Sequence, residues 1–252
     1  MRILYLGDIF GETSVRVIAE NLNRIKKEYN INLVFANGEN VSKGKGLIKR
    51  DYTNLMKAGI QALSMGNHAF SKSDIFTYID NANICRPANL YDAPGKEYIT
   101  INYNGFKITI INLLGRVFMN GALDCPFRTF DRIYENLDSD YIIVDFHGEA
   151  TSEKIAFAYY VSGRANAVLG SHTHVQTADE RVIDDKTLFI SDMGMCGPYE
   201  SVLGDSIDQI LDRFITGIYH PADVAISDTI LSGVILYTNT NTITRFKEII
   251  KE

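Results

Sequence analysis

Three short apolar runs, Ile3 to Leu6, Ile31 to Ala36 and Ile60 to Met65, alternate along the chain with stretches whose apolar residues recur at helical spacing. Between the first two runs, Ser14 to Tyr29 places Val15, Ile18, Leu22 and Ile25 on one helical face. Between the second and third, Asp51 to Lys57 reads as a helix stopped by Gly59. Strands that are apolar throughout, rather than alternating, need cover on both faces, and a βαβαβ rhythm supplies it. That requirement narrows the chain to an α/β fold.

The middle departs from this rhythm. Tyr98 to Tyr103 and Phe106 to Leu113 flank Asn104-Gly105, a two-residue hairpin signal, so an antiparallel element joins the parallel pattern. Tyr141 to Phe146 predicts a strand, followed by a helix from Thr151 to Val161 with Thr151 or Ser152 as its cap. Ala165 to Leu169, Thr187 to Ser191, Thr229 to Tyr237 and Thr242 to Lys247 read as further strands, and Ile207 to Ile215 as a helix. Neither a repeat nor a linker interrupts the sequence. It predicts one domain over residues 1–252, with two packed sheets and outer helices.

Composition limits what such a domain does. Apolar residues make up 46% of the chain and charged residues 22%, as in a globular protein with a buried core. No apolar stretch reaches the ~18 residues of a membrane-spanning helix. The opening run breaks at Gly7-Asp8 without a cleavage site, so it reads as a first strand and not a signal peptide. Cys85, Cys125 and Cys196 are too few and too far apart for a disulfide framework or a Cys-rich zinc site, and fit a reducing cytoplasm. A net charge of −6 argues against a stable nucleic-acid complex. A small anionic substrate stays compatible with it if metal offsets the acidic total.

The polar residues of interest lie where the apolar runs end. Asp8 follows the first, Asn37, Glu39 and Asn40 the second, and Asn67 and His68 the third; His147 follows Phe146, and His172 and His174 follow Leu169. Ligands in open α/β sheets bind beyond the carboxyl ends of the strands. Singly, each position has a plainer reading: a turn at Asp8 to Gly11 or at Gly66-Asn67, or a surface histidine. Together they bring four of the five histidines, with Asp, Glu and Asn, to one rim. An extended His-x-His pair points its rings to opposite sides, so His172 and His174 would face different ions. That suits a two-metal site, and mixed N and O ligands select iron, manganese or zinc over calcium or magnesium.

Gly7-Asp8, Gly38-Glu39-Asn40, Gly66-Asn67-His68, His147 and Gly170-Ser171-His172-Thr173-His174 resemble, in order, the motif series of the calcineurin-like metallophosphoesterases. Three longer segments resemble one branch, the bacterial YmdB-type cyclic-nucleotide phosphodiesterases. They are Asn37 to Asn40 followed by Gly44-Lys45-Gly46, the stretch from Asp145 to Lys154, and the stretch from His172 to Arg181. The resemblance runs to about Leu203 and fades beyond Thr216. It implies a four-layer αββα sandwich and two divalent ions per chain, iron or manganese, with zinc also compatible. One ion would be held by Asp8, Glu39, Asn40 and His174, the other by Glu39, Asn67, His147 and His172. The wider superfamily carries Asp-x-His in its first motif, where this chain has Phe10; Asn40 takes the missing ligand's place in the YmdB-type branch. The acidic residue that often follows Asn-His is Ala69 here, which leaves the partner of His68 unassigned.

The activity so implied is hydrolysis of 2′,3′- or 3′,5′-cyclic nucleotides, by attack of a metal-bound hydroxide on phosphorus with His68 as general acid. Lys45, with Lys43 and Arg50, forms a basic segment after Glu39, readable as a substrate loop or as a solvated one. Tyr199, in the turn-rich segment Gly194 to Tyr199, would stack on a base if that segment borders the pocket, but the segment reads first as a structural turn. Alternatives are a nucleotide phosphomonoesterase and a metal-stabilised nucleotide-binding regulator. A dinucleotide oxidoreductase is excluded because the first strand-to-helix turn lacks Gly-x-Gly-x-x-Gly. The expected partner is a small phosphate ester; no membrane partner is expected, and a homo-oligomer is compatible with the sequence.

Overall fold

The computed structural model describes residues 1–251. The first half runs β1 (Arg2–Phe10), α1 (Glu12–Glu28), β2 (Leu33–Asn40), α2 (Lys49–Ala58), β3 (Ala62–Ser64), β4 (Ile84–Cys85), β5 (Tyr98–Tyr103) and β6 (Phe106–Leu114). Next come α3 (Pro126–Tyr134), β7 (Tyr141–His147), α4 (Thr151–Tyr160), β8 (Ala167–Ser171), β9 (Arg181–Ile183) and β10 (Thr187–Ile190). The chain closes with β11 (Met195–Pro198), α5 (Ile207–Thr216), β12 (Thr229–Tyr237) and β13 (Thr242–Ile250).

Two mixed sheets result. One has the order β13-β12-β11-β1-β2-β3-β4, the other β5-β6-β7-β8-β10-β9. The side-chain period of two decides what each strand touches. Ile3 and Tyr5 of β1, and Leu33 and Phe35 of β2, face inward to meet Ile108, Ile110, Ile143 and Leu169 of the other sheet. Leu4, Leu6, Val34 and Ala36 face outward under α1 and α2. Ile111, Leu113, Val144 and Val168 do the same for the second sheet under α3 and α4. Each sheet is thus covered by helices on one side and by its partner sheet on the other, which is why its inner strands are apolar on both faces.

The predicted hairpin forms, with Asn104 and Gly105 at φ 54° and 85°, the left-handed pair that a two-residue turn of this hand needs. Gly59 ends α2 at φ 107°. Three expectations are corrected. The N-cap of α4 is Ala150, with no side-chain cap; the Glu153 carboxylate accepts instead from the Arg116 and Val117 backbone N–H groups. Gly194 to Tyr199 is not simply a turn, because its centre is β11, paired with β1 on one side and β12 on the other. The ends of β1 and β2 reach further than the apolar runs, to Phe10 and Asn40, so Asp8 and Glu39 lie within strands. Among the described residues no helix is long and apolar enough to cross a membrane.

Candidate metal centre

The carboxyl ends of β1, β2, β3, β7 and β8 converge, and both sheets contribute. Strand β1 shifts register against β2 on either side of Asp8, a local bulge that re-aims the side chain into the rim. Asp8, Glu39 and Asn40 come from the first sheet, Asn67 and His68 from the loop after β3, and His147, His172 and His174 from the second sheet and the loop after β8. Asp8, Glu39 and His147 are fully buried.

His147 lies at the centre of one cluster. Its Nε2 stands 3.0 Å from Asn67 Oδ1, 3.2 Å from Glu39 Oε1 and 3.1 Å from His172 Nδ1. Its other ring nitrogen contacts Ser171 Oγ at 2.8 Å, and that hydroxyl donates to Asp145 Oδ1 at 2.5 Å. With its only proton spent on Asp145, Ser171 accepts from His147 Nδ1–H, which leaves Nε2 bare in a neutral ring. Four lone-pair atoms then face one another with no proton between them. A proton on Nε2 relieves that repulsion: burial pulls the His147 pKa down, but Glu39 outweighs it and raises the group to about 9. Burial likewise pushes Glu39 up, and the pull of His147 reverses it, to about 2. His172 is held at about 4 by burial and by His147.

A second cluster shares Glu39. Asn40 Nδ2 lies 3.0 Å from Glu39 Oε1 and 3.0 Å from His174 Nε2, and His174 Nε2 is 3.9 Å from Asp8 Oδ2. His174 Nδ1–H donates to the Leu203 carbonyl at 2.8 Å, so its Nε2 is the free acceptor. Asp8 Oδ1 is buried without a hydrogen-bond partner, and burial pushes the carboxyl up to about 7. An orphaned buried carboxylate oxygen is costly unless a cation meets it. The chemistry of these residues therefore fits divalent metal.

The His-x-His pair is not extended. His172 and His174 sit at φ 107° and 65°, in the left-handed region that a histidine enters only when held. Asp8 Oδ2 holds the His172 N–H at 2.9 Å, and Asp192 Oδ2 holds the Thr173 N–H at 3.0 Å. The rings still part as expected, His172 toward His147 and His174 toward Asn40. Beneath them Lys154, buried with no exposed surface, donates to the Ser171 carbonyl at 2.9 Å and to Asp192 Oδ2 at 3.0 Å. Gly66 admits the ligands: a Cβ there would stand 2.2 Å from Glu39 Oε2 and 2.5 Å from His147 Nε2. Phe10 meets the His174 ring edge-on at 5.5 Å between centroids.

A cleft of about 510 Å³ opens over the clusters, lined by Glu39, Asn40, His68, His172 and His174, with Lys43 and Lys45 on one side. The opposite wall includes Arg213, Tyr219 and Pro221, from the region past Leu203 where the sequence resemblance thins. Tyr199 is not among the lining residues, and Arg50 turns away to Asp51 and Glu12. His68 Nδ1 lies 3.4 Å from Ser71 Oγ, and the His68 N–H is held by Glu39 Oε2 at 3.0 Å. Burial lowers its pKa; Glu39 opposes and Lys45 adds to the fall.

Several residues that support the site lie outside the set expected from the sequence. Asp145 accepts from Asn37 at 2.9 Å and from the Ser64 and Ser171 hydroxyls, joining both sheets under the site. Its position two residues before His147, on the same face of β7, was the available signal. Glu149, within the stretch from Asp145 to Lys154, lies 3.3 Å from His172 Nε2 at the cleft mouth.

The chain matches a family model described as YmdB-like protein over residues 4–249, so the likeness extends well past Thr216. It is 42% identical over 240 residues to the 2′,3′-cyclic-nucleotide 2′-phosphodiesterase of Bacillus subtilis (strain 168), covering 94% of this chain and 90% of that protein. Its fold superposes on a protein from Thermus thermophilus with a TM-score of 0.94 at 37% identity, covering 99% and 100% of the two chains. It superposes on a phosphatase from Mycoplasma pneumoniae with a TM-score of 0.92 at 33% identity, covering 100% and 94%.

Proposed function

We propose, for a chain that belongs to the YmdB-like family of metallophosphoesterases, that its phosphoric diester hydrolysis is directed at cyclic nucleotides, with a 2′,3′-cyclic phosphate as the principal substrate. The observation that carries the two-metal reading is the bare Nε2 of His147 facing three further acceptors, beside an orphaned Asp8 oxygen. Asp8, Glu39, Asn40 and His174 would hold one ion and Glu39, Asn67, His147 and His172 the other, with the Glu39 carboxylate shared. Asn40 serves through its oxygen once its amide turns over. Iron or manganese suits this donor set.

Bound divalent ions supply Lewis-acid polarisation of the phosphoryl group and a lowered pKa for the attacking water. The chain's own groups do the rest. Lys45 and Lys43 draw the phosphodiester into an otherwise acidic molecule. His68 gives a proton to the departing ribose oxygen; Ser71 Oγ, accepting from the charged ring's Nδ1–H, leaves Nε2–H for that transfer. The charge of the incoming phosphate opposes the burial that keeps His68 neutral, so the acid is charged as substrate arrives. Glu149 holds His172 Nε2 and so turns Nδ1 to the centre.

Elemental analysis of reconstituted protein, alongside assays of a 2′,3′-cyclic nucleotide and a 5′-nucleoside monophosphate, tests the reading. Two ions per chain and preference for the cyclic diester are expected. Fewer than one ion per chain refutes the dinuclear centre, and preference for the monophosphate refutes the diester assignment.

A further inference from the structure

A surface helix normally turns its apolar stripe to the core. Helix α5 does the reverse. Of its apolar residues only Ile210 is buried, while Ile207, Leu211, Phe214 and Ile215 face solvent, and Ile218 and Tyr219 extend the same stripe past Gly217. Phe214 is 78% exposed, Ile215 81% and Tyr219 71%. At such exposures the six residues present roughly 700 Å² of surface, above the ~300–600 Å² of a typical monomer's largest apolar patch and close to the ~800 Å² that each partner gives to a stable interface.

We infer that this face is an interface between two copies of the chain, packed α5 against α5 about a two-fold axis. A convex stripe at positions 207, 211, 214, 215 and 218 offers ridges, not a groove, and ridges of this spacing fit between those of an identical helix. A two-fold contact needs only one patch that meets its own copy, and a single exposed apolar helix face supplies one. The flanking charges argue against a membrane as the occupant. Asp208 and Asp212 border the stripe, and the one cation of α5, Arg213, is already engaged by the His220 carbonyl and the Tyr219 ring. An anionic lipid surface would require lysine or arginine there. Because Arg213 and Tyr219 also line the catalytic cleft, the second copy would close in beside its outer wall.

Sedimentation velocity of the full chain through the micromolar range tests this, since its outcome does not depend on the chemistry of the cleft. The wild type should sediment as a dimer or an even-numbered assembly. The double substitution Phe214→Asp with Ile215→Asp should weaken self-association by about a hundredfold or more. Neither side chain touches the core, so circular dichroism and metal content should stay at wild-type values; Leu211→Lys, at a separate point of the stripe, should act the same way. A wild type that is monomeric throughout overturns the inference. So does an assembly that survives both variants, or co-sedimentation of the chain with phosphatidylserine vesicles in place of self-association.

Discussion

Replacing Lys154 with methionine separates the support of the metal centre from its ligands. The Lys154 ammonium is buried between the Ser171 carbonyl and Asp192, and Asp192 in turn holds Thr173, the residue between the two left-handed histidines. Methionine fills the same volume but leaves the Asp192 carboxylate buried without a counter-charge, which costs about 3–5 kcal/mol of stability. Each left-handed histidine stores about 1–3 kcal/mol that only such contacts hold in place. Slackening this turn moves His172 and His174 off their aim, and losing an outer support of this kind lowers metal affinity about 10–100-fold. In free-energy terms that is about 1.4–2.7 kcal/mol. Calorimetric titration with manganese(II), beside urea unfolding of the metal-free protein, reads the two effects apart. Phe130→Ala is the control: it opens the second sheet's outer core at a similar cost of about 3–5 kcal/mol, without touching the turn. Lys154→Met should lose both stability and affinity, and Phe130→Ala stability alone. A Lys154→Met protein that binds manganese as the wild type does, or a control that loses as much affinity, refutes the role given to this ion pair.

His68→Ala should reduce turnover of cyclic nucleotides by about 10²–10⁴-fold while metal content stays constant; a parallel loss of metal would make His68 a ligand. Ser71→Ala should slow substrates with an alkoxide leaving group several-fold and leave p-nitrophenyl esters nearly unchanged, because a good leaving group needs no proton; equal slowing of both contradicts the role given to Ser71. Gly66→Ala should cut metal affinity by about tenfold or more, on the order of the loss seen when ligand supports are removed, since its Cβ overlaps Glu39 and His147; calorimetry checks it. For the metal-free protein, the raised His147 pKa means that its contribution to stability is complete below pH 6.5 and lost as pH rises through about 9. Its melting temperature should fall across that window, while metal affinity rises over the same range as protons leave His147 and Asp8. A flat profile between pH 6.5 and about 9 contradicts the assignment of Nε2.

The strands were legible because their apolar runs have a length and a setting that only a buried strand satisfies, as at Ile3 to Leu6. The shortest strands were not. Ile84–Cys85 forms a strand only because Leu63 and Ser64 offer it hydrogen bonds, and Met195–Pro198 only because β1 and β12 flank it on either side. Both are tertiary effects with little local signal. The candidate ligands were visible as polar residues at run ends. Their orientation was not, since it depends on Asp145 reaching Asn37 and Ser64 of the other sheet, 108 and 81 positions away in the sequence. The left-handed backbone at His172 and His174 carries no glycine or asparagine to announce it. Tyr199 lies off the cleft lining, and a turn-rich run does not reveal which side of a sheet it will leave from.

Strand β1 lies between one neighbour made early and two made late. Its residues Ile3 to Leu6 pair with β2 on one side and with Gly233 to Leu236 on the other, and Asp8 pairs with Met195. During synthesis, then, the Asp8 carboxylate has no fixed position until nearly the whole chain has left the ribosome. Glu39 and Asn67 are made well before His147, His172 and His174, so a growing chain carries acceptors that cannot yet close on an ion. Capture of the proposed ions would in this sense be a late check on assembly, tight only after the two ends of the chain have met across β1; a chain lacking β12 and β13 would keep every proposed ligand yet lose the frame that aims the first of them.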